Sequence, residues 1–287
     1  MMRISQPRVD TDTKPLHPAF SDKTYIMGVL NITPDSFSDG GLYLDKEKAV
    51  EYALDMVRDG ADIIDVGGES ARPFAKDISV EEELNRVLPV IEAIRKKIST
   101  PVSIDTRKSL VAERSLKAGV KIVNDVSGLK NDPDMAPIVA KYNAELIIMH
   151  TKGTPQDMQI DPTYKNLIEE IIKSLRESLN IARRAGVDKD KIIIDPGIGF
   201  GKRLKHNLEI LNRLDEFKGL GQPICVGTSR KSFIGKVLGL PNLEDRLAGT
   251  IATCVVAIMK GANILRVHDV KEVAKAARIT DSILRAG

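Results

Sequence analysis

The chain has no tryptophan, few aromatic residues and only two cysteines. Among its 287 residues, Phe, Trp and Tyr together account for 4%. Cys225 and Cys254 are too few for a disulfide framework or a four-ligand zinc site, and their apolar neighbours are typical of free thiols. Free thiols persist in a reducing compartment, so we expect a cytoplasmic protein.

Long apolar runs and basic clusters are also missing. The longest apolar run, residues 251–259, is much shorter than the roughly 20 residues of a membrane helix. The formal net charge is +3, and no basic block predicts binding to nucleic acid or to a membrane. Residues 1–20 lack the apolar core of a signal peptide, so we expect a soluble protein with a flexible N-terminal arm.

Apolar residues make up 42% of the chain, and they occur in short β-rich runs that alternate with helical periodicity. The runs span residues 25–30, 62–66, 101–104, 121–123, 145–149, 191–194, 223–226 and 262–267. The helical segments span residues 46–59, 80–97, 108–118, 133–142, 164–184, 204–217, 243–260 and 270–284. Eight such units without a compositional break predict an α/β fold, a single-domain (β/α)8 TIM barrel over residues 21–287. A doubly wound open sheet is the alternative.

Polar side chains follow the predicted strands. Three carboxylates, those of Asp65, Asp105 and Asp195, come directly after β-branched residues at the edge of the core, where each needs a hydrogen-bonding partner. In a TIM barrel all the strand ends meet on one face, where active sites form. The side chains suited to a flat heterocycle with N–H donors are Asp65, Asp105, Asp195, Asn124 and Lys231. The cations suited to a phosphate are Arg72, Arg266 and His268.

Common motifs do not explain the two glycine-rich loops. Residues 197–202 fit neither the dinucleotide-binding fingerprint nor the P-loop spacing, and residues 67–69 do not lead directly into a helix. The four histidines are too scattered for a zinc site; we assign His17 and His206 to solvent, whereas His150 suits a structural role and a site role equally. Mg2+ bridging phosphates, with Asn31 as a ligand, is compatible with the sequence.

Eight ordered motifs resemble those of the dihydropteroate synthases. They are IMGVLNITPDSFSDGG at 26–41, GADIIDVGGES at 60–70, SIDT at 103–106, VNDVSG at 123–128, IMH at 148–150, DPGIGFGK at 195–202, GTSRKSFIG at 227–235 and RVHDV at 266–270. The resemblance runs from about residue 24 to the end of the chain. It implies a (β/α)8 barrel that joins 4-aminobenzoate to 6-hydroxymethyl-7,8-dihydropterin diphosphate, giving 7,8-dihydropteroate and pyrophosphate in folate biosynthesis.

The resemblance also implies roles for individual residues. The pterin would contact Asp105, Asn124, Asp195 and Lys231, surrounded by Asp65, Met149, Phe200 and Gly227. The diphosphate would contact Asn31, Ser229, Arg266 and His268, with Mg2+ on Asn31. The 4-aminobenzoate would lie against Phe200, Pro73 and the Lys231 stem, with its carboxylate on Ser232. Catalysis would rest on Asp35, Asp105, Lys231, Arg266 and His268, while Asp35, Phe37 and Arg72 lie in loops suited to closing over the site.

One motif departs from the family pattern. The family usually has Thr or Ser before the arginine of the second loop and Gly after the proline, where this chain has Ala71 and Phe74. Both changes affect a loop that would meet the aryl substrate or a sulfonamide. The alternatives are a pterin-binding methyltransferase-like barrel and a non-catalytic pterin-binding paralogue. The resemblance further implies a homodimer formed through barrel helices.

Overall fold

Eight short strands, most of them rich in β-branched residues, form the centre of the fold. The computed structural model describes residues 22–33, 41–70, 75–154 and 156–286. The strands within these ranges are β1 (Tyr25–Asn31), β2 (Ile63–Gly67), β3 (Val102–Asp105), β4 (Ile122–Asp125), β5 (Glu145–Met149), β6 (Ile192–Asp195), β7 (Cys225–Val226) and β8 (Ile264–Val267). They form one parallel sheet in the order β6-β5-β4-β3-β2-β1-β8-β7. A parallel bridge from Ile194 to Ile224 joins its two edges. The sheet is therefore a closed barrel, which confirms the predicted fold and excludes the open sheet.

Helices follow the strands and surround the barrel. In the described part of the chain they are α1 (Gly41–Arg58), α2 (Val80–Arg95), α3 (Ser109–Lys117), α4 (Met135–Lys141), α5 (Leu167–Arg184), α6 (Leu204–Asn212), α7 (Ser232–Leu238), α8 (Leu247–Met259) and α9 (Val270–Leu284). The connection from β7 to β8 contains both α7 and α8. The helical periodicity did not predict α7, because seven residues give too few turns for a periodic signal.

Several predicted boundaries differ from the observed ones. The segment predicted as one helix over residues 204–217 is α6 followed by a 3-10 helix at Leu214–Leu220. The predicted helix 243–260 begins with a 3-10 turn at Glu244–Arg246 before α8. Short 3-10 stretches are common at helix ends, and hydrophobic spacing alone does not separate them from α-helix.

Two apolar clusters hold the barrel together. The larger one lies between the strands and the surrounding helices, and α1 approaches β1 so closely that a Cβ at Gly28 would lie 2.7 Å from Sδ of Met56. The smaller cluster lies inside the barrel. Its members are Tyr25, Met27, Ile63, Ile122, Ile147, Ile193, Cys225 and Ile264. Because this inner cluster fills the barrel interior, a ligand can bind only above it, at the open end.

Two further predictions concern the N-terminal arm and the absence of a membrane-spanning helix. The N-terminal arm, residues 1–20, lies outside them altogether. In the described ranges, no helix combines the length and the apolar character that crossing a membrane requires.

Candidate active site

The candidate site lies one layer above the inner apolar cluster, on the same inward face of the strands. Alternate residues of a strand point to the same side, so a residue two positions after an inner-cluster member also faces the barrel axis. Four polar residues stand two positions after an inner isoleucine: Asp65, Asn124, Asp195 and Arg266. Asp105 joins them because it pairs with Asn124 in the register of β3 and β4.

Arg266 is shared between two carboxylates of this layer. Its Nε donates to Oδ2 of Asp65 over 2.7 Å, and its Nη2 donates to Oδ2 of Asp105 over 2.6 Å. Nδ2 of Asn124 donates to the same Asp65 oxygen over 3.2 Å. The other oxygen of Asp65 is buried and has no hydrogen-bond partner among the residues that the structure describes. The positive charge of one guanidinium thus balances two carboxylates, and one oxygen of Asp65 can still accept a hydrogen bond.

Burial and crowding change the acidity of these groups. Desolvation raises the pKa of Asp105 to about 7; the positive charge of Arg266 opposes this rise and the negative charge of Asp65 adds to it. Desolvation also raises the pKa of Asp195 above its ordinary value, although Lys231 and the backbone N–H of Gly197 lower it. Two acids with raised pKa values at one end of a barrel are typical of a functional site.

Lys231 occupies the edge of this acidic layer. Its Nζ donates to the carbonyl oxygen of Ile198 and lies 4.8 Å from the centroid of the Phe200 ring. Burial lowers the pKa of Lys231 to about 8, while Asp195 raises it and Arg266 lowers it further. A Cβ at Gly199 would lie 3.0 Å from Cδ of Lys231, so the glycine lets the stem pass close to the loop.

The glycine-rich loop 197–202 curls against the end of β5. At Gly197 the φ angle is +72°, and a Cβ there would overlap the carbonyl oxygen of His150. The backbone N–H of Gly197 donates to Oδ1 of Asp195 over 2.7 Å. Glycine is therefore required both for the left-handed backbone and for the close approach.

Comparison with known proteins identifies the family. The family described as pterin binding enzymes matches residues 27–268. A dihydropteroate synthase from Clostridium beijerinckii is 52% identical, over 92% of this chain and 96% of its own length. The chain belongs to the dihydropteroate synthase family.

Solved structures agree with this assignment. A Xanthomonas albilineans dihydropteroate synthase with 4-aminobenzoic acid is 40% identical, with a TM-score of 0.87 over 92% of this chain and 94% of that one. The enzyme of the same organism in complex with 7,8-dihydropteroate is 37% identical, with a TM-score of 0.84 over 92% of this chain and 94% of that one. The family is one of transferases of folate synthesis.

The structure brings most of the predicted dihydropteroate synthase residues to one end of the barrel. At the side of the acidic layer, Nδ1 of His268 lies 3.1 Å from Oγ of Ser229, which also accepts from the His268 backbone. A Cβ at Gly67 would lie 3.6 Å from Oδ1 of Asn31 and 3.9 Å from Oδ2 of Asp105, so both oxygens lie next to Gly67 at the end of β2. Met149 pairs with Asp195 across β5 and β6, and a Cβ at Gly227 would lie 3.8 Å from Nζ of Lys231.

The structure adds a contact that the sequence did not predict. Arg266, which the sequence grouped with Arg72 and His268 as cations suited to a phosphate, also binds Asp65 and Asp105 directly. The reason is the alternation of side chains on β8, which turns Arg266 toward the barrel axis at the level of the acids. His206 is also less solvated than expected: Nδ1 accepts from the Arg203 backbone over 3.2 Å, and its ring packs edge-on against Tyr164.

The sequence did not predict the side-chain contacts of two groups at this end of the barrel. Nζ of Lys202 is buried and lies 2.9 Å from Nδ1 of His150. At the same end of the barrel, after β2, Glu69 accepts from Arg107 over 3.0 Å and from Lys108 over 2.9 Å. Lys108 also donates to the buried Glu83 over 2.6 Å. Burial alone would raise the pKa of Glu69, but these hydrogen bonds hold it below its ordinary value. A lysine after a loop predicts exposure, so no local signal identified these pairs.

Several predicted residues lie outside the described part of the chain. They are Asp35 and Phe37 of the first loop and Ala71, Arg72, Pro73 and Phe74 of the second. Their predicted roles remain predictions.

Proposed function

We propose that this chain condenses 6-hydroxymethyl-7,8-dihydropterin diphosphate with 4-aminobenzoate to give 7,8-dihydropteroate and pyrophosphate. The observation that carries the proposal is the layer of Asp65, Asp105, Asn124 and Asp195 at the open end of the barrel, where one buried oxygen of Asp65 has no partner in the described part of the chain. A buried acceptor without a donor is costly unless a ligand supplies one. The amino-pyrimidinone edge of a pterin carries a row of N–H donors, which suits this layer.

The pterin would lie across the acidic layer. Asp105 and Asp195 would accept N–H groups of the ring, while Asn124 offers both a donor and an acceptor. Lys231, Met149, Phe200 and Gly227 would surround the ring. Breaking the C–O bond to the diphosphate leaves positive charge on the pterin, and the carboxylates of the layer would stabilise that charge as it develops.

The diphosphate would leave on the side of Arg266 and His268. The guanidinium has five N–H donors, of which those on Nε and Nη2 contact the acids, so others remain for phosphate oxygens. The Ser229 hydroxyl holds the His268 ring in place over 3.1 Å. As the bond breaks, negative charge grows on the diphosphate, and each of these contacts strengthens.

We propose that Mg2+ accompanies the diphosphate. Oδ1 of Asn31 is a hard oxygen donor at the end of β1, and like Oδ2 of Asp105 it lies within 4 Å of the Cβ position of Gly67. In the described residues no three His, Cys, Asp or Glu side chains form a group able to hold a metal by themselves. This donor set suits Mg2+, which is commonly bound through one or two protein oxygens, substrate phosphates and water. When bound, the ion would neutralise charge on the leaving diphosphate.

The 4-aminobenzoate would enter beside the glycine-rich loop. A cavity of about 290 Å3 lies there, with Gly199, Lys202, Arg203, Ser232 and Lys236 among its lining residues. Ser232 would contact the substrate carboxylate, and Phe200 with the stem of Lys231 and Pro73 would flank the ring. The amine is a neutral nucleophile, so it needs positioning against the pterin methylene more than deprotonation. Asp35, Phe37 and Arg72 would help to cover the site and exclude water.

We also propose a cytoplasmic homodimer. Among the described residues Cys225 and Cys254 are buried free thiols, which suits a reducing compartment. The neighbouring helices α8 and α9 expose Val256, Met259, Ile279 and Ile283, with 42% to 67% of each residue accessible. An apolar face of this kind suits a self-complementary contact. Sedimentation of the purified protein, with Met259→Glu as the disrupting variant, tests this state.

One assay tests the reaction. The purified protein is incubated with dihydropterin diphosphate, 4-aminobenzoate and Mg2+, and pyrophosphate and dihydropteroate are followed together. Equal amounts of both products are expected, lost in Asp195→Asn and Lys231→Ala and retained in Lys97→Ala, whose side chain lies on the exposed surface. Dihydropterin binding without pyrophosphate release would favour the non-catalytic paralogue. Methyl transfer from a methylated pterin in place of condensation would favour the methyltransferase-like alternative.

A further inference from the structure

Lys202 ends the glycine-rich loop and has an unusual set of partners. It is only 3% exposed. Its Nζ lies 2.9 Å from the carbonyl oxygen of Phe200, 2.9 Å from Nδ1 of His150 and 3.4 Å from the carbonyl oxygen of His150. An ammonium has three N–H donors and no acceptor, so the three protons match three acceptors. The side chain is thus held in one position between β5 and the loop after β6.

The histidine partner has one tautomer that fits this contact. An ammonium can only donate, so Nδ1 of His150 accepts and the ring proton lies on Nε2. Burial, with the charge of Lys202 as the next contribution, lowers the pKa of His150 to about 2. His150 is therefore neutral near pH 7, and within the described ranges Lys202 forms no salt bridge to a carboxylate.

The loop that Lys202 fixes carries three groups of the site. The Phe200 ring lies next to Nζ of Lys231, and the Ile198 carbonyl accepts from that same Nζ. The Gly197 backbone N–H donates to Asp195. Because Lys202 binds the Phe200 carbonyl and the end of β5 together, a shift of Lys202 would move the Phe200 ring and the acceptor of Lys231 relative to the barrel.

Lys202 also contributes charge beneath the acidic layer. The groups that face Asp195 are Lys231 from the start of α7, the Gly197 N–H and Lys202 from the loop after β6, and Arg266 from β8. All four lower the pKa of Asp195, against the desolvation that raises it. Burial lowers the pKa of Lys202 well below its ordinary value, and the negative charge of Asp195 partly offsets this. The two side chains therefore stabilise each other's charged forms.

We propose that Lys202 is a positioning residue of the synthase reaction, which sets the loop 197–202 for the aryl substrate and supplies a third positive charge near Asp195, in addition to Lys231 and Arg266. It acts through Phe200, Lys231 and Asp195. The inference rests on the proposed function, since it assigns Lys202 to the same site.

The test compares Lys202→Met, Lys202→Arg and the matched control Lys205→Met, whose lysine is exposed near the start of α6. In Lys202→Met, KM for 4-aminobenzoate should rise about tenfold or more with a smaller change in KM for the pterin substrate. The acid limb of kcat/KM should move about one pH unit upward, because Asp195 loses a neighbouring charge. Lys202→Arg should restore the acid limb more than the KM, since it keeps the charge but not the three-acceptor geometry.

Thermal unfolding of each variant shows whether a change in activity comes from the position of the loop or from a loss of folded protein. If Lys202→Met does not fold, Lys202→Gln takes its place. An unchanged KM for 4-aminobenzoate and an unchanged acid limb in a folded variant would overturn the inference. A loss of activity that only parallels a lower Tm, with KM for 4-aminobenzoate and KM for the pterin substrate changing equally, would also overturn the inference. Failure of the wild-type protein to form dihydropteroate would instead count against the proposed function.

Discussion

Nε of Arg266 donates to Oδ2 of Asp65 over 2.7 Å, although 201 positions separate the two residues in the chain. The same guanidinium binds Asp105. One cation from the last strand therefore holds together two acids from the second and third strands. The acids that we propose for pterin binding and a cation that we propose for the diphosphate therefore interact directly, so a change in one alters the charge balance of the other.

Arg266→Ala should lower the stability of the protein as well as its activity. The variant leaves Asp65, which is fully buried, and Asp105 without their cation. Removing one partner of a buried pair typically lowers the free energy of unfolding by about 3 kcal/mol or more. Urea unfolding checks this value, with Arg278→Ala on the exposed side of α9 as the control.

Dihydropterin binding should also weaken in Arg266→Ala, by about fivefold at pH 7, because a rise of one unit in the pKa of Asp105 would lower its ionised fraction from about a half to about a tenth. Calorimetry with dihydropterin alone measures this. Wild-type affinity in the variant would show that the acids are ordered and ionised without the arginine.

Dihydropterin affinity should depend on pH through Asp105. Desolvation raises the pKa of Asp105 to about 7. In the proposed complex the ionised carboxylate would accept the pterin N–H groups, so affinity should rise with pH and level off above about pH 7, changing by up to about tenfold per unit below it. Calorimetry between about pH 5.5 and 8.5 checks the profile. In Asp105→Asn the affinity should be lower and its slope shallower; an undiminished slope would assign the titration to another group.

Stability should fall in acid through His150. Burial lowers the folded-state pKa of His150 to about 2 from an ordinary 6.5. Below pH 6.5 the unfolded chain takes up a proton that the folded chain does not, so stability is fully present above 6.5 and is lost as the pH falls. The contribution to the free energy of unfolding should decrease by about 2 kcal/mol between pH 6.5 and about pH 5.

Denaturant unfolding at several pH values measures this loss. His150→Asn removes the titrating group while its side-chain oxygen can still accept from Lys202, so the decline below pH 6.5 should become shallower. The same steep decline in the variant would show that other groups cause it.

Lys108 should be important for stability at the rim of the site. Its Nζ reaches Glu83, whose side chain is 0% exposed, and also Glu69. Lys108→Met leaves the Glu83 carboxylate buried without its cation, which should lower the free energy of unfolding by about 3 kcal/mol.

The control for this prediction is Lys117→Met on α3, because Lys117 is about half exposed and its pair with Glu113 lies at the surface. Its effect should stay below about 1 kcal/mol. Part of the loss in Lys108→Met should be recovered in the double variant with Glu83→Gln. Equal effects of the two single lysine variants would contradict the prediction.

Much of this protein was determined by local sequence. Eight β-rich runs, each followed by a polar side chain, were sufficient to predict the barrel and the end of it that carries the site, because strand ends in a closed parallel sheet meet on one face. The structure then showed that Asp65, Asn124 and Asp195 point inward, since each stands two residues after an isoleucine of the inner cluster. The motifs predicted the family on the same local basis.

The tertiary structure alone determined which side chains contact each other. Arg266 meets Asp65 and Asp105, Lys202 meets His150, and Lys108 meets Glu83 across long separations in the chain. No periodicity or spacing encodes these contacts, because they depend on how far neighbouring strands are staggered and how each loop packs. Burial follows from the same packing, and burial is what turns an ordinary aspartate into an acid that titrates near neutral pH.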